Sequence, residues 1–205
     1  MSHTLLGDAR LYVVLLQIDG DLRDEVRSGG CANCGGALHV ADYGRKPRGG
    51  AAKLPQGYEK RFSLCCSREG CRARAMPMSV RFLGRRVYLG AVFLLACAMR
   101  HGLTPRRVGE LRELLGVSRR TLERWRRWWL EVFRTTPEWK AARGLLATPL
   151  DPSRLPASLL ERFGGDPFEQ VVAALRFLSP LSARAPAVVP GKVNEGRNGY
   201  AEDAR

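Results

Sequence analysis

Apolar positions recur with helical spacing through three consecutive stretches in the middle of the chain. Val87 to Arg100 is apolar nearly all round, which predicts a buried helix ended by Gly102. Thr104 to Leu115 predicts a second helix, with Thr104 as N-cap, Pro105 at the first helical position, and Val108, Leu111 and Leu115 facing inward. Leu115-Gly116-Val117-Ser118 then reads as a short turn, in which Gly116 takes the left-handed conformation and Val117 plugs the gap between helices. The run from Ser118 to Phe133 predicts a third helix, capped by Ser118 but lacking the Glu or Gln of a full capping box. Its residues Leu122, Trp125, Trp129 and Phe133 share one face, and Arg120, Arg124, Arg127 and Glu131 fall on the opposite one.

The flanking segments are shorter and less regular. Residues 1–18 fit either a strand or a short helix, and Leu22 and Val26 suggest a separate short helix over 21–27, ended by Gly29-Gly30. Phe62, Leu64 and Cys66 alternate as the inner face of a strand. Thr136-Pro137-Glu138-Trp139 marks a stop and restart, with Trp139 as a packing anchor. Residues 145–156 read as a connector; Leu159, Leu160 and Phe163 fit a short helix stopped by Gly164-Gly165. Asp166-Pro167-Phe168-Glu169 is a capping box opening a helix through Val171, Val172, Leu175 and Leu178. From about residue 183 the composition is that of a disordered tail. There is no internal repeat. The resulting division is 1–30, an N-terminal segment; 31–80, a cysteine-bearing domain; 87–140, the three-helix domain; 141–182, a helical segment; and 183–205, the tail.

Cysteine spacing changes the picture of the first half. Cys31-Ala32-Asn33-Cys34-Gly35-Gly36 has the shape of a zinc knuckle, a Cys-x2-Cys turn closed by glycine. A second, wider knuckle is Cys66-x4-Cys71, with Cys65-x5-Cys71 as the alternative; Cys66 keeps step with the strand's inner face. Zinc takes four thiolates in a tetrahedron, so Cys31, Cys34, Cys66 and Cys71 are the expected Zn²⁺ ligands. A redox role would need a thioredoxin-like pattern of elements that is absent. Between the knuckles, Ala41 to Lys60 reads as a flexible basic loop. Cys97 reads as a core residue of the apolar helix, and His39 as a surface residue with metal ligation the alternative.

With 205 residues, 45% of them hydrophobic, the chain can bury a real core. Its net charge of +14 favours a polyanionic partner. The charge is concentrated: twelve Lys/Arg against two Glu from Gly44 to Arg86, and nine Arg against four Glu from Thr104 to Arg134. The longest nearly apolar run, Tyr88 to Met99, has twelve residues, short of the ~20 a bilayer needs. Leu11 to Leu16 lacks the preceding basic cluster and the following cleavage site of a signal peptide. These features lead to the expectation of a cytoplasmic, nucleoid-associated protein with reduced cysteines and no membrane partner.

The three helices, with a tight glycine turn before the last, resemble the trihelical helix-turn-helix fold. The Val-Ser-Arg-Arg-Thr-Leu-Glu-Arg-Trp run at 117–125 resembles the corresponding segment of bacterial insertion-sequence transposases and their accessory proteins, over roughly residues 87–134. Arg112 departs from that pattern, which often has a small residue there. The cysteine segment resembles the zinc ribbons that precede the helix-turn-helix in the same proteins. The fold class expected is therefore mostly α, with a small β zinc ribbon, a trihelical helix-turn-helix domain and short C-terminal helices. The resemblance implies a partner, double-stranded DNA. Arg119, Arg120 and Arg124, with Ser118 and Thr121 at the same helix end, are then placed for the major groove, and Arg106, Arg107 and Arg127 for phosphates.

No enzyme is expected. A transposase of the Asp-Asp-Glu type needs a carboxylate triad on a mixed sheet, whereas the ~70 residues after the third helix read as helices and tail. Asp151, Glu161, Asp166 and Glu169 have capping or surface explanations, and no histidine has a triad context. The reading is a non-catalytic DNA-recognition component of a mobile element, with catalysis in a separate transposase or recombinase chain. A host transcription regulator is the close alternative. A zinc-ribbon protein bound to RNA or the ribosome is the alternative of a different class, opposed by the inward placement of Trp125 and Trp129.

Overall fold

One long helix, α1 (Ala9–Ser28), runs where the sequence suggested two separate elements. Asp8 caps it, accepting a hydrogen bond from the Arg10 N–H at 2.9 Å. Leu11, Tyr12, Leu15 and Ile18 form its buried stripe. That stripe continues through Asp19 without a break, which is why residues 9–18 and 21–27 belong to the same element. A 3₁₀ turn, Thr4–Gly7, precedes α1, and Gly30 with φ of +73° turns the chain out of it. The structure, a computed structural model, describes residues 4–45, 54–82, 103–146 and 148–182. The expected apolar helix at 87–100, with Cys97 and Gly102, lies outside the described residues, as do His3, His101 and the segment from 183.

Two small antiparallel sheets follow α1. Strands β1 (Leu38–Val40), β4 (Leu64–Cys66) and β5 (Arg74–Ala75) form a three-stranded sheet in the order β1-β4-β5. Its register pairs Leu38 with Cys66 and aligns His39 with Cys65 and Cys65 with Arg74. Strands β2 (Tyr43–Gly44) and β3 (Lys60–Arg61) form the other sheet. Two expectations need correction. Phe62 lies outside β4 and is half-buried, so only Leu64 and Cys66 alternate inward. The segment 41–60 is not simply a basic loop, since its ends pair as strands and Tyr58 is fully buried against Tyr12, ring centroids 5.5 Å apart.

The first basic zone also needs correction, because Arg61 and Arg81 are buried at 1% and 0% exposure. Arg61 donates to the carbonyls of Pro77 and Phe62, and burial lowers its pKa. Arg81 meets Asp19 at 2.7 Å and donates to the carbonyls of Tyr58 and Lys60 at 2.7 and 3.0 Å. Asp19 also accepts from the Ser79 hydroxyl at 2.5 Å and the Val80 N–H at 2.7 Å. A buried ion pair survives only when its remaining donors and acceptors are satisfied, and here backbone carbonyls and Ser79 do that. The network ties α1 to the segment that leaves β5.

The helical part begins with α2 (Pro105–Leu115), capped by Thr104 and ended by Gly116 with φ of +62°. Leu111 and Leu115 are buried and Val108 half-buried, as its spacing predicts; Arg112 is exposed. Next comes α3 (Arg119–Arg127), capped by Ser118, whose hydroxyl accepts from the Thr121 N–H at 3.3 Å. The expected single helix 118–133 is three pieces: α3, a wider π turn over Trp128–Val132, and a 3₁₀ turn over Phe133–Thr135. The widened turn still leaves Leu122, Trp125, Trp129 and Phe133 buried, and Trp129 stacks within 4.6 Å of Phe133. Thr136 restarts the chain as α4 (Pro137–Ala142), which brings Trp139 to 4.7 Å from Phe133. Helices α5 (Ala157–Leu160) and α6 (Pro167–Leu178) complete the fold, α6 opening with the Asp166–Glu169 capping box. Residues of α1, Tyr58, Val80, Phe82, α2, α3 and α6 share one hydrophobic core. The fold is thus mixed, mostly helical with a small antiparallel component. No described helix is long and apolar enough to cross a membrane.

Candidate metal centre and arginine face

The first cysteine pair sits on a tight turn after α1. The N–H groups of Cys34 and Gly35 both point back to the Cys31 carbonyl, at 3.2 and 2.7 Å, and Gly35 adopts φ of +67°. That closure brings the Cys31 and Cys34 side chains to one side. The second pair brackets the turn between β4 and β5, where the N–H groups of Cys71 and Arg72 meet the Arg68 carbonyl at 3.2 Å each. Gly70 takes φ of +80° there. The two turns bring Cys31, Cys34, Cys66 and Cys71 together, with all four sulfurs within 4.8 Å of one another.

This group of four could hold a metal ion. Cys31 and Cys71 sulfurs lie 3.7 Å apart, and Cys34 and Cys66 sulfurs 3.5 Å. A tetrahedron with metal–sulfur bonds of ~2.3 Å has edges of ~3.8 Å, so the spacing fits four thiolates round one ion. No disulfide joins these cysteines. Gly36 completes the wall: a Cβ there would lie 3.2 Å from the Cys66 sulfur and 3.4 Å from that of Cys34. Strand alternation settles the choice between neighbouring cysteines. Cys66 faces inward with Leu38 and Leu64. Cys65 faces the other way, its thiol 3.6 Å from the Arg72 carbonyl. His39, in register with Cys65, is exposed and outside the cysteine group.

Sequence reasoning missed two supporting side chains. Asn33 donates from Nδ2 to the Cys71 sulfur at 3.3 Å, and Arg68 reaches the Cys34 carbonyl at 3.2 Å. Asn33 lies inside the first knuckle and Arg68 inside the second, and that position was the available signal for both. The Asn33 amide, with the Ala73 N–H and the Cys34 thiol, draws the Cys71 pKa down to about 6. At Cys66 the Arg68 N–H favours the thiolate, yet burial and the thiols of Cys34, Cys71 and Cys31 push the pKa up to about 12. Without a metal, close-packed thiols cannot all ionise; a bound dication would displace the retained protons.

The second candidate surface is the outward side of α2 and α3. Arg120 and Arg124 are exposed on α3, opposite Leu122 and Trp125. Arg119 is tied along the helix to Glu123 at 2.9 Å, and Arg106 to Glu110 at 3.1 Å. Ser118 and Thr121 are occupied with each other at the helix start, their hydroxyls 3.1 Å apart. Arg107 is half-buried, and its N–H is held by the Thr104 hydroxyl at 3.3 Å. Arg127 joins Arg119, Arg126, Glu123 and Glu131 around a groove of about 330 Å³, so carboxylates line it as well as guanidinium groups. Arg120 and Arg124 are thus exposed on α3, whereas Arg119 and Arg106 are engaged with carboxylates of their own helices. Comparison with known proteins adds no relative: no family model, no curated protein and no solved structure matches this chain.

Proposed function

We propose that this chain is a non-catalytic, sequence-specific DNA-binding protein stabilised by one Zn²⁺ ion. The observation that carries the reading is the α2–turn–α3 unit. Its inner faces are anchored in the core through Leu111, Leu115, Leu122 and Trp125. Its outer face presents Arg120 and Arg124 to solvent. A helix held on one side and cationic on the other is what major-groove entry requires, and the left-handed Gly116 gives the short turn of a helix-turn-helix. The resemblance of the 117–125 run supports the DNA-recognition component of a transposase or other mobile element over a host regulator.

Zinc is the ion favoured by four thiolates at tetrahedral spacing. With no position left open it would serve structure, holding the turn after α1 against the turn after β4. The residues that would hold it are Cys31, Cys34, Cys66 and Cys71.

In this reading Arg120 and Arg124 read base edges, Arg119 joins them once released from Glu123, and Arg106, Arg107 and Arg127 meet phosphates. The test is a salt titration of binding to a selected duplex and to a scrambled one. Arg120→Ala or Arg124→Ala should cost ~1–3 kcal/mol of discrimination between the two. Arg106→Ala should weaken both duplexes equally and flatten the salt slope by about one unit. Unchanged affinity and preference in both Arg120→Ala and Arg124→Ala would reduce the helix to a solvated face.

A further inference from the structure

The three-stranded sheet has a second face, and its composition is unlike the first. Strand alternation sends Leu38, Leu64 and Cys66 to the side of the metal centre. The opposite side carries His39 from β1, Cys65 from β4 and Arg74 from β5, directly aligned across the three strands. His39 and Arg74 are exposed and Cys65 is half-buried. The same row borders an open depression of about 480 Å³, lined also by Ser67 and Arg72, with no Asp or Glu among its described lining residues. Arg72 enters it from a backbone with φ of +44°, a region costly for any residue with a Cβ. That conformation directs the chain from Cys71 back along Cys65, whose thiol approaches the Arg72 carbonyl at 3.6 Å.

We infer that this face is a binding site for the phosphate backbone of duplex DNA, separate from the arginine side of α3; the inference rests on the DNA-binding reading above. Two guanidinium groups, an imidazole and a hydroxyl without a competing carboxylate match phosphodiester oxygens. The row from His39 to Arg74 covers two interstrand spacings, ~10 Å, more than one phosphate group spans. An open, elongated, cationic strip of that length suits successive phosphates of a strand better than a small free anion, which would be enclosed. The metal centre has a part in this site. It holds the turn from which Arg72 and Arg74 emerge, and so positions charges that it does not itself touch. Cys65 supplies a thiol in the middle of the strip that is not a ligand, and therefore a built-in reporter.

The experiment uses the full zinc-loaded chain. Arg72→Gly, which suits the positive φ, is combined with Arg74→Ala, and metal content is checked. Loss of two phosphate contacts should shrink the fall in affinity between 50 and 200 mM salt by about tenfold. In the unaltered protein, saturating duplex should slow alkylation of Cys65, read at that residue by peptide mapping, with Cys65→Ser as the blank. A salt response like that of wild type, or alkylation at the same rate with and without duplex, would overturn the inference. If the helix variants at Arg120 and Arg124 lose discrimination while this face is silent, the DNA reading stands without it. If this face responds while those variants bind as wild type does, the helix reading falls instead. Binding to structured RNA with no affinity for duplex would overturn both.

Discussion

The cysteine-bearing sheet and the helical core solve the same problem by different means. The core gathers Tyr12, Trp125, Trp129, Phe133 and many aliphatic side chains from across the chain, and burial of apolar surface suffices to hold it. Around the sheet the buried hydrophobic cluster among the described residues is Cys31, Leu38, Leu64 and Cys66, and two of those four are thiols. Strands of two or three residues cannot supply a hydrophobic face of their own. A metal joining the two turns would substitute for the missing core. The difference teaches where the chain should be sensitive to chelators and where to cavities.

The largest effect should come from taking the metal away. Chelation or Cys66→Ser is expected to abolish exchange protection around residues 31–75 while the far-ultraviolet helical signal largely persists. Cys65→Ser should keep stoichiometric metal by elemental analysis. Collapse of both regions together on chelation would erase the contrast. Next in size is Asp19→Ala, which strands Arg81 in a dry interior and should cost ~3–5 kcal/mol in denaturant unfolding. Because Asp19 lies on α1, whose Val26 also packs beside the cysteines, this change should lower the stability of both regions. Ser118→Ala should cost about 1 kcal/mol by removing the cap of α3, with metal content unchanged. The smallest change is a gain. Gly20 lies inside α1 with nothing within 4 Å of an added Cβ, so Gly20→Ala should raise stability by about 0.5–1 kcal/mol. A loss in thermal melting would show that α1 does not tolerate a methyl at that position.

Where periodicity was strong, the sequence was enough. The inner faces of α2 and α3, the left-handed Gly116, the caps at Thr104, Ser118 and Asp166, and the buried Trp139 all follow from local spacing and capping chemistry. The four clustered thiols were legible too, because period-two alternation prefers Cys66 to Cys65. What local rules could not supply was long-range pairing. Asp19 falls on the apolar stripe of α1, eight residues after Leu11 and four after Leu15, and that displacement of a charge was the visible signal. Its partner Arg81 lies 62 positions away among other basic residues, and a count of charges merged it with them into one basic zone. The same limit explains Tyr58, whose burial depends on contact with Tyr12 rather than on any pattern in its own segment. The π turn at Trp128–Val132 likewise keeps the apolar residues inward, so hydrophobic spacing alone could not distinguish it from a regular helix.

The pairing of Asp19 with Arg81 also limits how this sequence can drift. Either residue replaced alone leaves an uncompensated charge in the interior, a loss of ~3–5 kcal/mol against the ~5–15 that hold a typical domain folded. Replacing both removes the two charges but leaves the Val80 N–H and the carbonyls of Tyr58 and Lys60 without these partners, so the double change should cost less than the two single changes added together. The two codons are thus coupled: once one has changed, a change in the other costs less than it would alone. In a pairwise mutational scan, positions 19 and 81 should show two harmful changes whose combination is less harmful than their sum.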